Sequence, residues 1–317
     1  YYLYFMPALA IDFGGTKIKI GIVENGNILA ATSVNASSAE SMVKTLSGTI
    51  EFARTFLSAR NIDERLINGI GIALPVIVDS ANNKVLTQYV KYPDARDFDF
   101  NEWFLQNWNI KLHLENDARA ALVGEWQYGS GKGCNDLVML TLGTGVGSAV
   151  ITAGQLLKGK HYLAGNMAGH TVINSDGVVC NCGSVGCLET EAATWALPAI
   201  AKRLGKSTSS SLAEKANFDF EYLVNAIDNG DLFAKEVFDH CVSIWGVCAA
   251  NLVHSFDPEK IIISGGIAKS AAKILPVIQH YVDTRIWLAP GSVRVVTAQQ
   301  PDFAALTGLE YLITNKE

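Results

Sequence analysis

A chain of 317 residues, 49% hydrophobic and 18% charged, has the make-up of a well-buried globular protein and suits two domains better than one core. A net charge of −6 with no lysine- or arginine-rich run argues against a nucleic-acid surface, no apolar run approaches a membrane span, and no signal peptide is visible. Three of the six cysteines, Cys134, Cys241 and Cys248, are dispersed as buried thiols would be in a reducing cytoplasm, which is the expected compartment.

Residues 1–5 read as the remnant of a protease-site tag, with Met6 as the expected native start. The stretch Ala8 to Val23 then runs as an apolar strand meeting Asp12, a turn at Gly14-Gly15-Thr16, and an alternating strand. A helix is predicted from about Ala39 to Ala59, a strand from Gly69 to Ala73, and an irregular stretch from Val76 to Asp99. A helix over about Phe100 to Trp108, a strand over Lys111 to Leu114 and a helix over Ala118 to Trp126 follow. Leu137 to Ile151 repeats the opening pattern around Gly143-Thr144-Gly145, which suggests a duplicated fold with a cleft between its halves. Further on, helices are predicted over Ala192–Leu204 and Phe220–Asn251. A short buried strand, Lys260–Ser264, ends in Gly265-Gly266, and a last helix runs from about Asp302 to Ile313. Strands alternating with helices indicate α/β sheets covered by helices.

Four of these stretches carry chemistry. Gly14, Gly15 and Thr16 form a turn whose backbone N–H groups suit anionic oxygens, with Thr16 or Lys17 as an added donor. Asp12, at the strand end, can hold a divalent cation beside the phosphates, usually through water. Gly143, Thr144 and Gly145 offer a second such turn. Either alone reads as a hairpin turn as readily as a site; two nests across a cleft would grip a polyphosphate from both sides, in a mode that is neither Walker nor Rossmann. Asn116 and Asp117 stand at a strand–helix junction, where they either cap the helix or serve phosphoryl transfer, Asp117 as base and Asn116 orienting the alcohol. Gly265 and Gly266, after a buried strand, let a flat ring approach the backbone, as an adenine pocket requires.

Cys180, Cys182 and Cys187 lie within eight residues, just after His170. Three thiolates and an imidazole make a closed tetrahedral zinc set, with Gly183 and Gly186 allowing the tight return of the chain. The bland alternative is a group of buried free cysteines with an unrelated histidine. A closed site has no open ligand position, so this zinc would be structural.

The ordered set Asp12-Phe13-Gly14-Gly15-Thr16-Lys17, Glu115-Asn116-Asp117, Leu142-Gly143-Thr144-Gly145-Val146-Gly147, Gly169-His170, Cys180-x-Cys182-Gly183-x-x-Gly186-Cys187-Leu188-Glu189, Asp257-Pro258-Glu259 and Gly265-Gly266 resembles the ROK family (repressor, open reading frame, kinase). That resemblance implies an actin-like, hexokinase-like two-domain ATPase fold and an ATP- and magnesium-dependent sugar kinase. It further implies Asp117 as general base, with Asn116, Asp117, His170 and Glu189 touching the sugar, and a homodimer. The implied partition is a small domain over 6–117 completed by the C-terminal helix, about 302–317, and a large domain with the zinc site over 118–301. Family repressors carry an N-terminal helix-turn-helix before the kinase core, whereas the matching motifs here begin at about Ala8.

Three departures bear on the sugar. Met167 stands where family kinases usually have a glutamate, three residues before the zinc histidine. Pro75-Val76-Ile77-Val78-Asp79 has Val76 in place of the pocket glycine, and Tyr89 falls where a small or polar contact is common. These make one corner of the pocket bulkier and less polar, so ordinary glucose is expected to bind less well. The alternative readings are a non-catalytic sugar sensor and, on fold alone, an actin-like assembly protein that the zinc knot does not suit.

Overall fold

The structure, a computed structural model, describes residues 6–36, 40–88, 92–205, 210–213 and 215–315; the expected tag remnant at 1–5 and Tyr89 lie outside them. The chain forms two compact units. The first comprises the chain up to Gly133, Lys158–Leu163 and the residues from Asp302 onward; the second comprises Cys134–Leu157 and Ala164–Pro301.

The first unit is built on strands β1 (Ala8–Phe13), β2 (Lys17–Glu24), β3 (Asn27–Asn35) and β4 (Ile70–Leu74), the small hairpin β5 (Val78–Asp79) with β6 (Lys84–Val85), and β7 (Leu112–Asn116). The main sheet has the order β3-β2-β1-β4-β7, antiparallel through β3, β2 and β1 and parallel through β1, β4 and β7. β1 and β4 lie at its centre and are apolar on both faces, as strands covered from both sides must be. Helix α1 (Met42–Ser58) starts one residue after Ser41, whose side chain accepts from Lys44 N, and buries a stripe through Leu46, Ile50, Ala53 and Leu57. Helix α2 (Phe100–Asn107) is capped by Asp99. α3 (Asp117–Tyr128) and the C-terminal helix Ala304–Thr314 cover the opposite face around Ala10, Val23, Ala73 and Ala120.

That C-terminal helix decides where the first unit ends. A Cβ on Gly308 would stand 1.8 Å from Ala120 O, and one on Gly124 would stand 2.0 Å from Ala304 O. The two helices therefore cross backbone to backbone, and α3 stays with the first unit. The expected boundary after Asp117 accordingly falls at Gly133.

The second unit repeats the sheet plan. Strands β8 (Leu137–Leu142), β9 (Val146–Thr152), β10 (Gln155–Leu156), β11 (Lys260–Ser264) and β12 (Arg294–Thr297) have the order β10-β9-β8-β11-β12. The antiparallel and parallel pairs occur in the same sequence as in the first sheet. Helices α4 (Leu188–Ala192), α5 (Leu197–Leu204), α6 (Phe220–Asp228), α7 (Leu232–Phe256) and α8 (Ala271–Arg285) surround it, and the C-terminal helix is α9. The core centres on Trp245, wholly buried, whose Nε1 donates to Ala192 O at 3.1 Å.

Two predicted helices are each divided. Ala192–Leu204 breaks because the amides of Thr194 and Trp195 donate to Gly143 O and Thr144 O instead of to their own helix. Phe220–Asn251 breaks at Asn229 and at Gly230 (φ 86°), and Asp231 then caps α7 through Ala234 N. The irregular stretch holds the β5–β6 hairpin. The strand predicted to end at Leu114 continues through Asn116, so Glu115 and Asn116 belong to β7.

Candidate active site

In the first unit the glycine turn closes on itself. Gly14 N donates to Asp12 O at 3.1 Å, and the hydroxyl of the buried Tyr92, packed edge-on against Phe13, donates to Gly14 O at 3.0 Å. Asp12, next to last in β1, lies opposite Lys19 on β2, and Lys19 Nζ donates to Asp302 O at 2.8 Å. Burial pushes the Asp12 carboxyl up, and the Lys19 ammonium pulls it part of the way back.

Asp117 and Asn116 share the end of β7 and the first turn of α3. Asn116 caps the helix and also holds its neighbours. Its Oδ1 caps the helix by accepting from Arg119 N at 3.1 Å, and its Nδ2 donates to Asp117 Oδ1 at 3.0 Å and Val76 O at 3.1 Å. Asp117 Oδ1 also accepts from Ala118 N at 2.8 Å. Burial, with the Asp12 carboxylate second, pushes the Asp117 carboxyl up to about 7. A carboxyl that titrates near neutrality beside a second carboxylate can take a proton from an alcohol. The same two carboxylates are oxygen donors of the kind a hard divalent cation prefers.

The buried carboxylate of Glu115 braces this junction. Its Oε1 accepts from Asn116 N at 2.9 Å, and its Oε2 pairs with Lys158 Nζ at 3.2 Å. Lys158 also donates to Ser80 Oγ at 2.6 Å, and Arg119 donates to Tyr162 O at 2.9 Å. Lys158 and Tyr162 sit on the short excursion of chain that returns to the first unit. Their part was not readable from the sequence, because no local pattern links them to Glu115.

In the second unit Gly143–Gly145 joins β8 to β9, with Gly143 N donating to Gly145 O at 3.1 Å. The carbonyl of Gly143 accepts from Thr194 N and from Thr194 Oγ1 at 2.7 Å. With its carbonyls engaged by the protein, what the turn offers an anion is its amide edge. Gly265 lies alongside, at the end of β11. Its φ of 88° and a would-be Cβ 2.2 Å from Leu142 O leave room for no side chain, and Gly266 follows with open space around it. The two glycine signals thus meet at adjacent strand ends.

Glu189, in the first turn of α4, reaches the same turn: its Oε1 accepts from Val146 N at 2.8 Å. Met167, partly buried, precedes the single turn Ala168–His170, and His170 N donates to its carbonyl. Ser148 fixes that segment from both ends, donating to Gly165 O and accepting from Ala168 N. Sequence reasoning gave no sign of Ser148, Thr194 or Trp195, since serine, threonine and tryptophan carry no motif at those places.

His170, Cys180, Cys182 and Cys187 come together, each offering one ligand atom, all within 4.8 Å of one another. Cys182 Sγ lies 3.6 Å from Cys187 Sγ, and Cys180 Sγ lies 3.6 Å from His170 Nδ1. All six cysteines are free thiols. Separations of this size suit three sulfurs and a nitrogen around one tetrahedral ion, so the set could hold zinc. Gly186 closes the loop with φ 69°, packed where a Cβ would meet Asn174 O. Among the described residues no helix is long and apolar enough to cross a membrane.

Two five-stranded sheets of one plan, each with a glycine turn after its first strand, together with a Cys3His knot, define an α/β fold of the ROK sugar kinase class. The ROK family model matches residues 8–316, and the chain belongs to the ROK family. It is 31% identical over 322 residues to a glucokinase of Thermotoga maritima, covering 98% of both chains. It superposes on a ROK family glucokinase from Streptomyces griseus, solved in complex with glucose and AMPPNP, with TM-score 0.78 and 27% identity over 96% of this chain and 98% of that one. It is also 32% identical to the DNA-binding transcriptional repressor Mlc of Escherichia coli, over 69% of this chain and 53% of the repressor.

Proposed function

We propose that the protein is an ATP-dependent sugar kinase that transfers the γ-phosphoryl group to a hydroxyl of a monosaccharide or sugar-like polyol. The observation that carries this reading is Asp117, a carboxyl held at about 7 by burial and Asp12, next to a carboxamide and on the same unit as a glycine turn. Asp117 Oδ takes the proton of the attacking hydroxyl as its oxygen bonds to phosphorus and the bond to the leaving diphosphate breaks. Asn116, anchored through Val76 O, orients the alcohol, and His170 and Glu189 contact other hydroxyls of the sugar. Gly14, Gly15, Thr16 and Lys17, with Gly143, Thr144 and Gly145, bind the nucleotide phosphates, and Gly265 and Gly266 border the base. Magnesium, held near Asp12, would neutralise phosphate charge. Zinc at His170, Cys180, Cys182 and Cys187 is structural, and the compartment is the cytoplasm.

The test is ADP release from ATP across a panel of hexoses, N-acylhexosamines, deoxysugars, anhydrosugars and inositols. Turnover with at least one member is expected. Ligands that raise thermal stability without any ADP release would favour a sensor instead. The homodimer that the resemblance implies is read from the mass of the eluting species.

A further inference from the structure

Two consecutive residues, Thr194 and Trp195, tie the Gly143–Gly145 turn to the carboxylate of Glu189. Thr194 holds Gly143 O through both its amide and its hydroxyl. Trp195 N donates to Thr144 O at 3.3 Å, and the indole Nε1 of the same residue donates to Glu189 Oε2 at 3.4 Å. Glu189 Oε1 is already taken by Val146 N. A glutamate on a five-residue helix would otherwise sample several rotamers; with one donor on each oxygen it is held to one.

The indole is placed unlike a core tryptophan. Trp245 is wholly buried and gives its N–H to a backbone carbonyl, whereas Trp195 is 40% exposed and gives its N–H to a carboxylate. Packing alone does not account for a large aromatic ring left open on a site carboxylate.

We propose that Trp195 is a positioning residue of the sugar subsite, orienting the Glu189 carboxylate by its indole N–H while its backbone keeps that carboxylate in register with the phosphate turn. The inference rests on Glu189 being a sugar contact. It is tested with Trp195→Phe, which keeps the ring and loses the N–H, with Glu189→Gln, and with the double variant, using the sugar of highest turnover in the ADP-release panel. The indole bond is long, so the expected loss is moderate: Trp195→Phe raises the sugar KM about three- to tenfold while kcat and the ATP KM stay within about twofold. Glu189→Gln raises the sugar KM further, and adding Trp195→Phe to it costs less than it does in the wild type, because the charged acceptor of the indole is gone.

An unchanged sugar KM in Trp195→Phe, a parallel rise of the sugar and ATP constants, or an undiminished effect in the Glu189→Gln background would overturn the inference. A Glu189→Gln enzyme with the wild-type sugar KM would instead remove Glu189 from the sugar site, and the role of Trp195 with it.

Discussion

Asp117 combines a catalytic advantage with a cost in stability. Its carboxyl is raised from 3.8 to about 7, mainly by burial and secondarily by Asp12. The folded state therefore holds a proton that the unfolded chain has already released, and this group's contribution to stability falls as pH rises from about 4 to about 7. As a base it must be deprotonated, so kcat/KM should fall about tenfold per unit below an acid limb near pH 7. Asp117→Asn keeps an oxygen for Asn116 and Ala118 and removes the buried charge. It should lose about 10²- to 10⁴-fold in turnover and be about 1 kcal/mol more stable at pH 8. Near-normal turnover would require another base, and a loss of stability at pH 8 would contradict the raised pKa.

Met167 bears on the choice of substrate. A sugar hydroxyl facing its thioether loses water without a replacement partner, which costs about 1–3 kcal/mol. Ser148 fixes the backbone on either side, so a glutamate there should occupy the same place. Met167→Glu should improve the efficiency for glucose or an N-acylhexosamine about tenfold relative to the preferred substrate. Ordinary glucose efficiency in the wild type would make Met167 a packing residue.

Among the elements, the Cys3His knot and α4 form one piece. Cys187 immediately precedes α4, Leu188 N donates to Thr171 O, and the helix carries Glu189. One ion should thus fix the loop and the helix together, and metal analysis should find about one zinc per chain. Cys187→Ser should lower stability by on the order of 4 kcal/mol, as loss of a structural metal does, and raise the sugar KM. Metal-free protein of undiminished stability would sink the assignment. The knot was legible in the sequence because all its ligands fall within one short stretch and glycines mark its turns. The glycine turns after β1 and β8 and the strand–helix junction at Asp117 were legible for the same reason. What stayed hidden is held by partners distant in sequence. Thr194 and Trp195 look like helix until Gly143 and Thr144 take their amides, and Lys158 is silent until it meets Glu115. Helix α8 carries Pro276 inside it, which disguises its pattern.

Over the whole molecule, the chain's order is not the order of its units. The sheet of the first unit is made by residue 116, yet the helix that covers one of its faces comes from the far end of the sequence. Leu306, Leu309 and Ile313 of α9 are fully buried, and beneath them Gly21, Gly69 and Gly71, with Ala10 and Ala73, are too small to close over the gap themselves. The Cys3His knot, with β8, β11 and α7, belongs wholly to the second unit. Ending the chain at Pro301 should therefore separate the two. Exposing that face should abolish kinase activity and leave β1, β4 and α3 poorly protected from hydrogen exchange. The second unit should keep about one zinc per chain and its own exchange protection, since none of its ligands or core strands is removed. Loss of zinc on truncation, or protection of β1 and β4 equal to the full chain, would show that α9 does not complete the first unit.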